Sequence, residues 1–191
     1  TKNFPHDILL ISGVRSETDV MRGEETQLIG LAASNSLTEA ELKEAILLFP
    51  GTHSKHLFLQ NDRIINFQTF MTGEVFNVMI NYSILKQSVE ARDLNKFSQD
   101  ELDAFKSGVD KSQSSDVLNS LFTVRTNQLF NKLNKKQNFL YLSGLLIGTE
   151  LKHLIQNISC QLILCSGSNL FEFYKLTFEQ LGLLKRTIII S

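Results

Sequence analysis

The sequence predicts an α/β domain: a mixed sheet with an antiparallel meander and helices packed on it. Three observations carry this. Strand-like runs at 46–49, 55–60 and 64–70 follow one another across short turns. Helical periodicity then fills most of the chain from 72 to 155. A strand–turn–helix–strand unit closes it, from 161 to 190.

Each element has a local cause. The run 8–11, Ile-Leu-Leu-Ile before Ser12 and Gly13, has the pattern of a buried strand. Residues 26–33 form a short helix. Thr38 and Glu41 make a capping box, stapled by Leu37 and Leu42, which starts a helix running to about Ala45. The strand 46–49 follows and stops at Pro50-Gly51. Asn61-Asp62-Arg63 turns the chain between the next two strands. Thr72 is the expected cap of a helix whose apolar positions are Val75, Phe76, Met79, Ile80 and Ile84. Ser98 with Glu101, flanked by Phe97 and Leu102, is a second capping box, opening a helix to about Val109. Long helices are expected over 116–133 and 137–155. Gly144 and Gly148 lie one turn apart on the second, where a neighbouring backbone can approach closely. A buried strand 161–165, a turn 166–169 and a helix 170–181 closed by Gly182 lead to a last strand, 187–190.

Composition narrows the function. The chain has 191 residues, 42% hydrophobic and 20% charged, with a net charge of −1. That supports one domain or one lobe of something larger, and excludes a disordered tail. It lacks the basic footprint of a nucleic-acid binder. No apolar run approaches the roughly 18–20 residues of a membrane span, so no membrane partner is expected. No signal-peptide pattern opens the sequence, and a cytoplasmic place is expected. Cys160 and Cys165 flank one strand and point to opposite faces, so they are expected as two buried, unpaired thiols. The apolar run Thr187-Ile188-Ile189-Ile190 needs a covering element, which suggests a piece of a longer protein.

Three segments have the composition of sites. Pro50-Gly51-Thr52-His53-Ser54-Lys55 sits between two strands. Its successive N–H groups can form an anion nest, its hydroxyls add donors, and Lys55 adds a point charge. The spacing is not that of a Walker loop, and an ordinary hairpin turn has the same composition. Arg22-Gly23-Glu24-Glu25 precedes a helix. Its acids suit the helix dipole; equally, one could accept a proton while Arg22 grips a substrate carboxylate. Ser166-Gly167-Ser168-Asn169 joins a strand to a helix, at the strand end where α/β sheets collect ligands. Here a helix cap competes with a turn that admits a flat base. His6, His53, His56 and His153 make no zinc-site spacing.

Taken in order, these segments resemble the 2-dehydro-3-deoxygalactonokinase family, kinases of 2-keto-3-deoxygalactonate. The resembling stretches are 20–30 (Val-Met-Arg-Gly-Glu-Glu-Thr-Gln-Leu-Ile-Gly), 50–55, 67–74 with 82–85, 139–150 and 167–174. The resemblance implies a ribonuclease-H-like lobe of the actin-like ATPase superfamily. Two such lobes would hold ATP, with Mg²⁺, against a small sugar acid. It implies that Gly51, Thr52, His53, Ser54 and Lys55 are the second phosphate loop. Gly167, Ser168 and Asn169 would be the adenosine turn. Glu24 would be the catalytic base at the substrate's terminal hydroxyl, with Glu25 as the alternative, and Arg22 and Glu25 would line the substrate. It also implies a division of the chain. Residues 1–45 would begin the second lobe and carry the interlobe connection. Residues 46–191 would be the C-terminal nucleotide-binding lobe, with the family's first lobe outside this chain. Alone, the chain is then expected to bind ATP poorly and turn nothing over. The alternatives are a non-catalytic nucleotide-binding lobe and a kinase of another sugar acid.

Overall fold

The computed structural model describes residues 12–34, 36–61, 63–91, 97–114, 116–156 and 160–190, apart from the side chains of residues 168 and 169. The strand expected at 8–11 and residue His6 lie outside them.

A five-stranded mixed sheet organises the molecule. Its strands are β3 (Glu44–Phe49), β4 (Ser54–Gln60), β5 (Arg63–Phe70), β6 (Gln161–Cys165) and β7 (Thr187–Ile190). The spatial order is β5-β4-β3-β6-β7. β3, β4 and β5 form the antiparallel meander, whereas β6 runs parallel to β3 and β7 parallel to β6. The meander is thus local in sequence. The parallel half needs the long helical crossover between β5 and β6.

The crossover comprises α3 (Thr72–Tyr82), α4 (Gln99–Ser114), α5 (Val117–Leu129) and α6 (Lys135–Leu151). α7 (Ser168–Gln180) joins β6 to β7. These helices cover one face of the sheet. Ile46, Leu48, Leu162 and Leu164 meet Phe105, Leu145, Leu151 and Phe178 there, all essentially buried. Burying each such side chain contributes about 1.5–3 kcal/mol. The helix α6 is apolar nearly all round because it is enclosed nearly all round. A Cβ at Gly144 would overlap the Phe105 carbonyl oxygen on α4, and a Cβ at Gly108 the Tyr141 carbonyl on α6. The close approach expected at Gly144 and Gly148 is therefore α4 against α6.

The other face is thinner. A two-stranded antiparallel ribbon, β1 (Val14–Arg15) with β2 (Val20–Met21), leads into α1 (Glu24–Ala33) and the one-turn α2 (Glu39–Leu42). Met21, Leu28, Leu31 and Leu37 pack on Ala45, Leu47, Leu57 and Ile163. The Asp19 carboxylate stitches the ribbon to β5 by accepting the Thr69 N–H at 2.6 Å and its hydroxyl at 2.7 Å.

Several expectations are corrected. The helix after Thr38 stops at Leu42 rather than near Ala45, although its capping box is intact. Glu44 and Ala45 are good helix formers, but here they pair with Gln60 and Leu59, and ladder pairing outweighs propensity. Thr72 does not cap α3: Met71 holds that position, and the Thr72 hydroxyl bonds to Glu150 instead. Ile84 leaves the helix and opens a 3₁₀ turn, Ile84–Ser88, in which it is exposed while Leu85 and Ser88 are buried. α4 runs five residues past Val109, to Ser114; α5 is shorter than expected, and α6 gives way to a 3₁₀ turn at Lys152–Gln156. Cys160 and Cys165 are free and contact opposite faces of the sheet, as expected, but are half-buried rather than buried. β7 is an edge strand, half-buried along its length.

Candidate functional site

The turn from β3 to β4 lies at the carboxyl end of β3, with Phe49 opposite Lys55. The N-terminus of α3 braces it. The Thr52 carbonyl accepts the Glu74 N–H at 3.0 Å, and His53 Nε2 bonds to the Glu74 carboxylate. Gly73 makes this contact feasible, since a side chain there would come within 2.7 Å of the Gly51 oxygen and 2.8 Å of Thr52 Cα.

Strand alternation sends the side chains after the turn to opposite faces. Lys55 enters the thin face, buried, with Nζ 3.7 Å from Glu24 Oε1 and donating to the His53 carbonyl at 3.4 Å. Ser54 and His56 enter the helical face and are fully buried.

The two neighbouring acids separate in the same way. Both open α1 after Gly23, whose φ of 120° is easy only for glycine. Glu25 folds back, buried, and accepts the Gly23 N–H at 2.8 Å. Glu24 accepts the Arg22 N–H at 3.2 Å and faces an open cleft of about 900 Å³. Arg15, Arg22, Gly51, Thr52, His53 and Lys55 share that cleft. An acid, three cations and a turn rich in free donors thus converge on one space.

Gly167 follows β6, the parallel neighbour of β3, where Leu164 stands opposite Leu48. Its turn and the Gly51 turn therefore leave the sheet at the same end. A shallow recess of about 470 Å³ by Gly167 shares Gln27 and Phe49 with the larger cleft. Gly167 is the N-cap of α7, with no side-chain cap. The side chains of Ser168 and Asn169 lie outside the described residues. Burial pushes the Cys165 thiol, beside this recess, up to about 12, so it is no nucleophile near neutral pH.

Two features escape sequence reasoning. One is an apolar slot of about 120 Å³ between α3, α6 and α7, lined by Gly51, Gly73, Phe76, Phe139, Leu170 and Phe173. The helical spacing of these aromatics is equally that of core residues, so no sequence signal separates them. The other is a buried polar cluster behind the turn. The Glu150 carboxylate accepts from His56 Nε2 at 3.0 Å, from Tyr174 at 2.8 Å and from Thr72. Ser54 and Tyr174 hydroxyls lie 3.0 Å apart. Burial, with the Glu150 charge beside it, holds the Tyr174 hydroxyl well above its usual range, so it stays a donor. His153, in the 3₁₀ turn after α6, is half-buried and stacks on His56 and Phe70. Burial first, then His56, lowers its pKa.

Among the described residues, no three His, Cys, Asp or Glu side chains are grouped to hold a metal ion, and no helix is long and apolar enough to cross a membrane.

Comparison with known proteins adds to this geometry. The model of the family described as 2-keto-3-deoxy-galactonokinase matches residues 4–189. The chain is 31% identical over 167 residues to 2-dehydro-3-deoxygalactonokinase of Escherichia coli (strain K12), covering 86% of this chain and 53% of that protein. It is 34% identical over 190 residues to the Rhizobium meliloti (strain 1021) protein named "Probable 2-dehydro-3-deoxygalactonokinase DgoK1", covering 95% and 60%. A solved structure, "Crystal structure of a putative 2-dehydro-3-deoxygalactonokinase protein from Sinorhizobium meliloti", superposes with a TM-score of 0.78 at 32% identity, over 93% of this chain and 58% of that one. The chain therefore spans little more than half the length of the relatives it matches.

Proposed function

The chain belongs to the 2-keto-3-deoxy-galactonokinase family, and we infer that, within its full-length protein, it forms one wall of a cleft that phosphorylates 2-dehydro-3-deoxy-D-galactonate from ATP. The observation that carries this reading is the convergence of Glu24, Lys55 and the Gly51–His53 turn on one cleft.

The sheet supports the lobe reading. Its order, meander outermost and two parallel strands beyond β3, with β4 antiparallel, suits a ribonuclease-H-like lobe spanning 46–191. Residues 1–45 then supply the ribbon and α1. Ligands collect at the carboxyl ends of parallel strands, where both turns lie.

Each residue has a task in phosphoryl transfer, where protein groups position reactants and neutralise charge. The N–H groups of Thr52 and His53 and the Lys55 ammonium receive the terminal phosphates. Glu24 takes the proton from the acceptor's terminal hydroxyl. The hydroxyl oxygen forms its bond to the γ-phosphorus, the bond to the bridging oxygen breaks, and ADP leaves. Arg22 meets the sugar acid's carboxylate by a planar, two-pronged contact. Gly167, with Ser168 and Asn169, borders the adenosine, and the apolar slot beside α7 suits the base. Mg²⁺ enters with ATP as part of the substrate, and no residue here is assigned to it. Glu25, spent on the Gly23 N–H, supports the helix start beneath the acceptor. A cytoplasmic place fits substrates of this kind.

The test uses the full-length protein, with coupled detection of ADP across a panel of 2-keto-3-deoxy sugar acids. Turnover on the galactonate derivative supports the reading. Turnover only on another acid changes the substrate, and nucleotide binding with no turnover at all leaves a binding lobe.

A further inference from the structure

Glu150, Tyr174 and Ser54 form a chain of hydrogen bonds whose direction can be worked out by counting protons. The Tyr174 hydroxyl has one hydrogen, and it is donated to Glu150 Oε2. Tyr174 can therefore only accept from Ser54, whose single hydrogen must point to Tyr174 across 3.0 Å. The Ser54 oxygen is left with lone pairs only, and it faces the Gly51 N–H at 3.4 Å. The alternative bond, from the Ser54 hydroxyl to the Gly51 carbonyl at 3.5 Å, is given up.

The setting makes this order strict. Glu150 is 2% exposed, Tyr174 2% and Ser54 1%, so no water competes for these groups. Glu150 is also held by His56 Nε2 and the Thr72 hydroxyl, from β4 and the start of α3. Both of its oxygens are occupied by donors from three different elements. A buried polar group with its bonds satisfied is costly to rearrange.

We propose that Glu150 and Tyr174 are positioning residues: through Ser54 they fix the Gly51 peptide, and with it the orientation of the turn that receives the nucleotide's phosphates. The assignment rests on the phosphate-binding role given to that turn above. The Gly51 N–H is directed inward to Ser54. The Thr52 and His53 N–H groups then remain for the ligand. Neither positioning side chain lines the open cleft, but Tyr174 borders the apolar slot given to the base. Ser54 lines neither space, so its variant reads the effect that passes through the backbone between β3 and β4 alone.

The relay is tested in the full-length protein with Tyr174→Phe, Ser54→Ala and the double variant. Affinity for MgADP is measured by titration, and KM is measured separately for ATP and for the acid. Each single variant is expected to weaken nucleotide binding roughly five- to tenfold, the worth of one buried hydrogen bond. The KM for the acid should stay unchanged. The double variant should bind no worse than the weaker single, because both cut one chain. Glu150→Gln, whose amide can donate and so reverse the chain, should lose at least as much. A general loosening of the fold would instead raise both KM values together and overturn the relay. Unchanged MgADP affinity in both single variants, or fully additive losses in the double, would overturn it too. A wild-type protein that binds no MgADP at all refutes the phosphate role of the turn, and the relay falls with it.

Discussion

Glu150 and Glu24 stand on opposite faces of the same sheet, and their surroundings differ. On the helical face, α4, α6 and α7 close over the strands, and Glu150 is saturated with side-chain donors. On the thin face, the ribbon and α1 cover Leu47, Leu57 and Ile163 but leave a cleft at the strand ends. Glu24 there has one backbone N–H, Lys55 at 3.7 Å and open space before it. The same side chain is structural where its bonding capacity is used up and available for chemistry where it is not. Substitutions on the two faces should accordingly divide into losses of stability and losses of rate, except along the Glu150–Tyr174–Ser54 chain, where the loss is read in nucleotide binding.

The largest effect is expected on the open face. Glu24→Gln in the full-length protein should lower turnover about a thousandfold, worth about 4 kcal/mol, by removing general-base assistance. Its ATP affinity should be retained, and its stability should stay within about 0.5 kcal/mol of the parent. Steady-state kinetics with thermal melting checks both halves, and retained turnover would move the base elsewhere. Next comes Gly144→Ala on the closed face. The added methyl meets the Phe105 carbonyl, and we expect a loss of about 3 kcal/mol or more by chemical denaturation. A stable Gly144→Ala protein would show that α4 and α6 can part cheaply. Third is Asn134→Ala. Asn134 caps α6 by accepting the Lys136 and Gln137 N–H groups at 3.0 and 2.9 Å. Its loss should cost about 1 kcal/mol with no change in KM.

The smallest effect concerns pH, at α2 on the thin face. The Thr38 N–H, and then its hydroxyl, hold the exposed Glu41 carboxyl below its usual 4.5. A lowered folded-state pKa means that the stabilisation is present above 4.5 and fades as pH falls toward the folded value. Amide exchange at α2 should therefore quicken on acidification; Thr38→Ala, which keeps the backbone N–H, should weaken that dependence, and Glu41→Gln should abolish it.

Much of this was legible in the sequence, for reasons that can be named. The meander, the Thr38–Glu41 box and the glycines of α6 are local signals, and local signals survive in one dimension. The ribbon was not legible, since two-residue strands are too short to show a period of two. The extension of β3 to Glu44 depends on a partner strand, so the capping box before it pointed to a longer helix. At the site, composition alone marked 22–25, 50–55 and 166–169. Which of Glu24 and Glu25 faces the cleft was settled only by the backbone at Gly23. His56 and Glu150 are 94 residues apart, and a polar residue in a strand carries no mark of the acid it will meet.

The bracing of the β3–β4 turn by α3 has a practical consequence. The helix touches the turn at Gly73 and Glu74 and ends at Tyr82, whose side chain is 81% exposed. Eleven residues at about 1.5 Å each make a stiff rod of roughly 16 Å. Val75, Phe76, Met79 and Ile80 pack the helix on the core, so a shift imposed at the turn is carried along it as one body to Tyr82. The chain has no tryptophan. An indole placed at position 82 would be its sole fluorophore of that kind, a dial on the surface reading events at the strand ends.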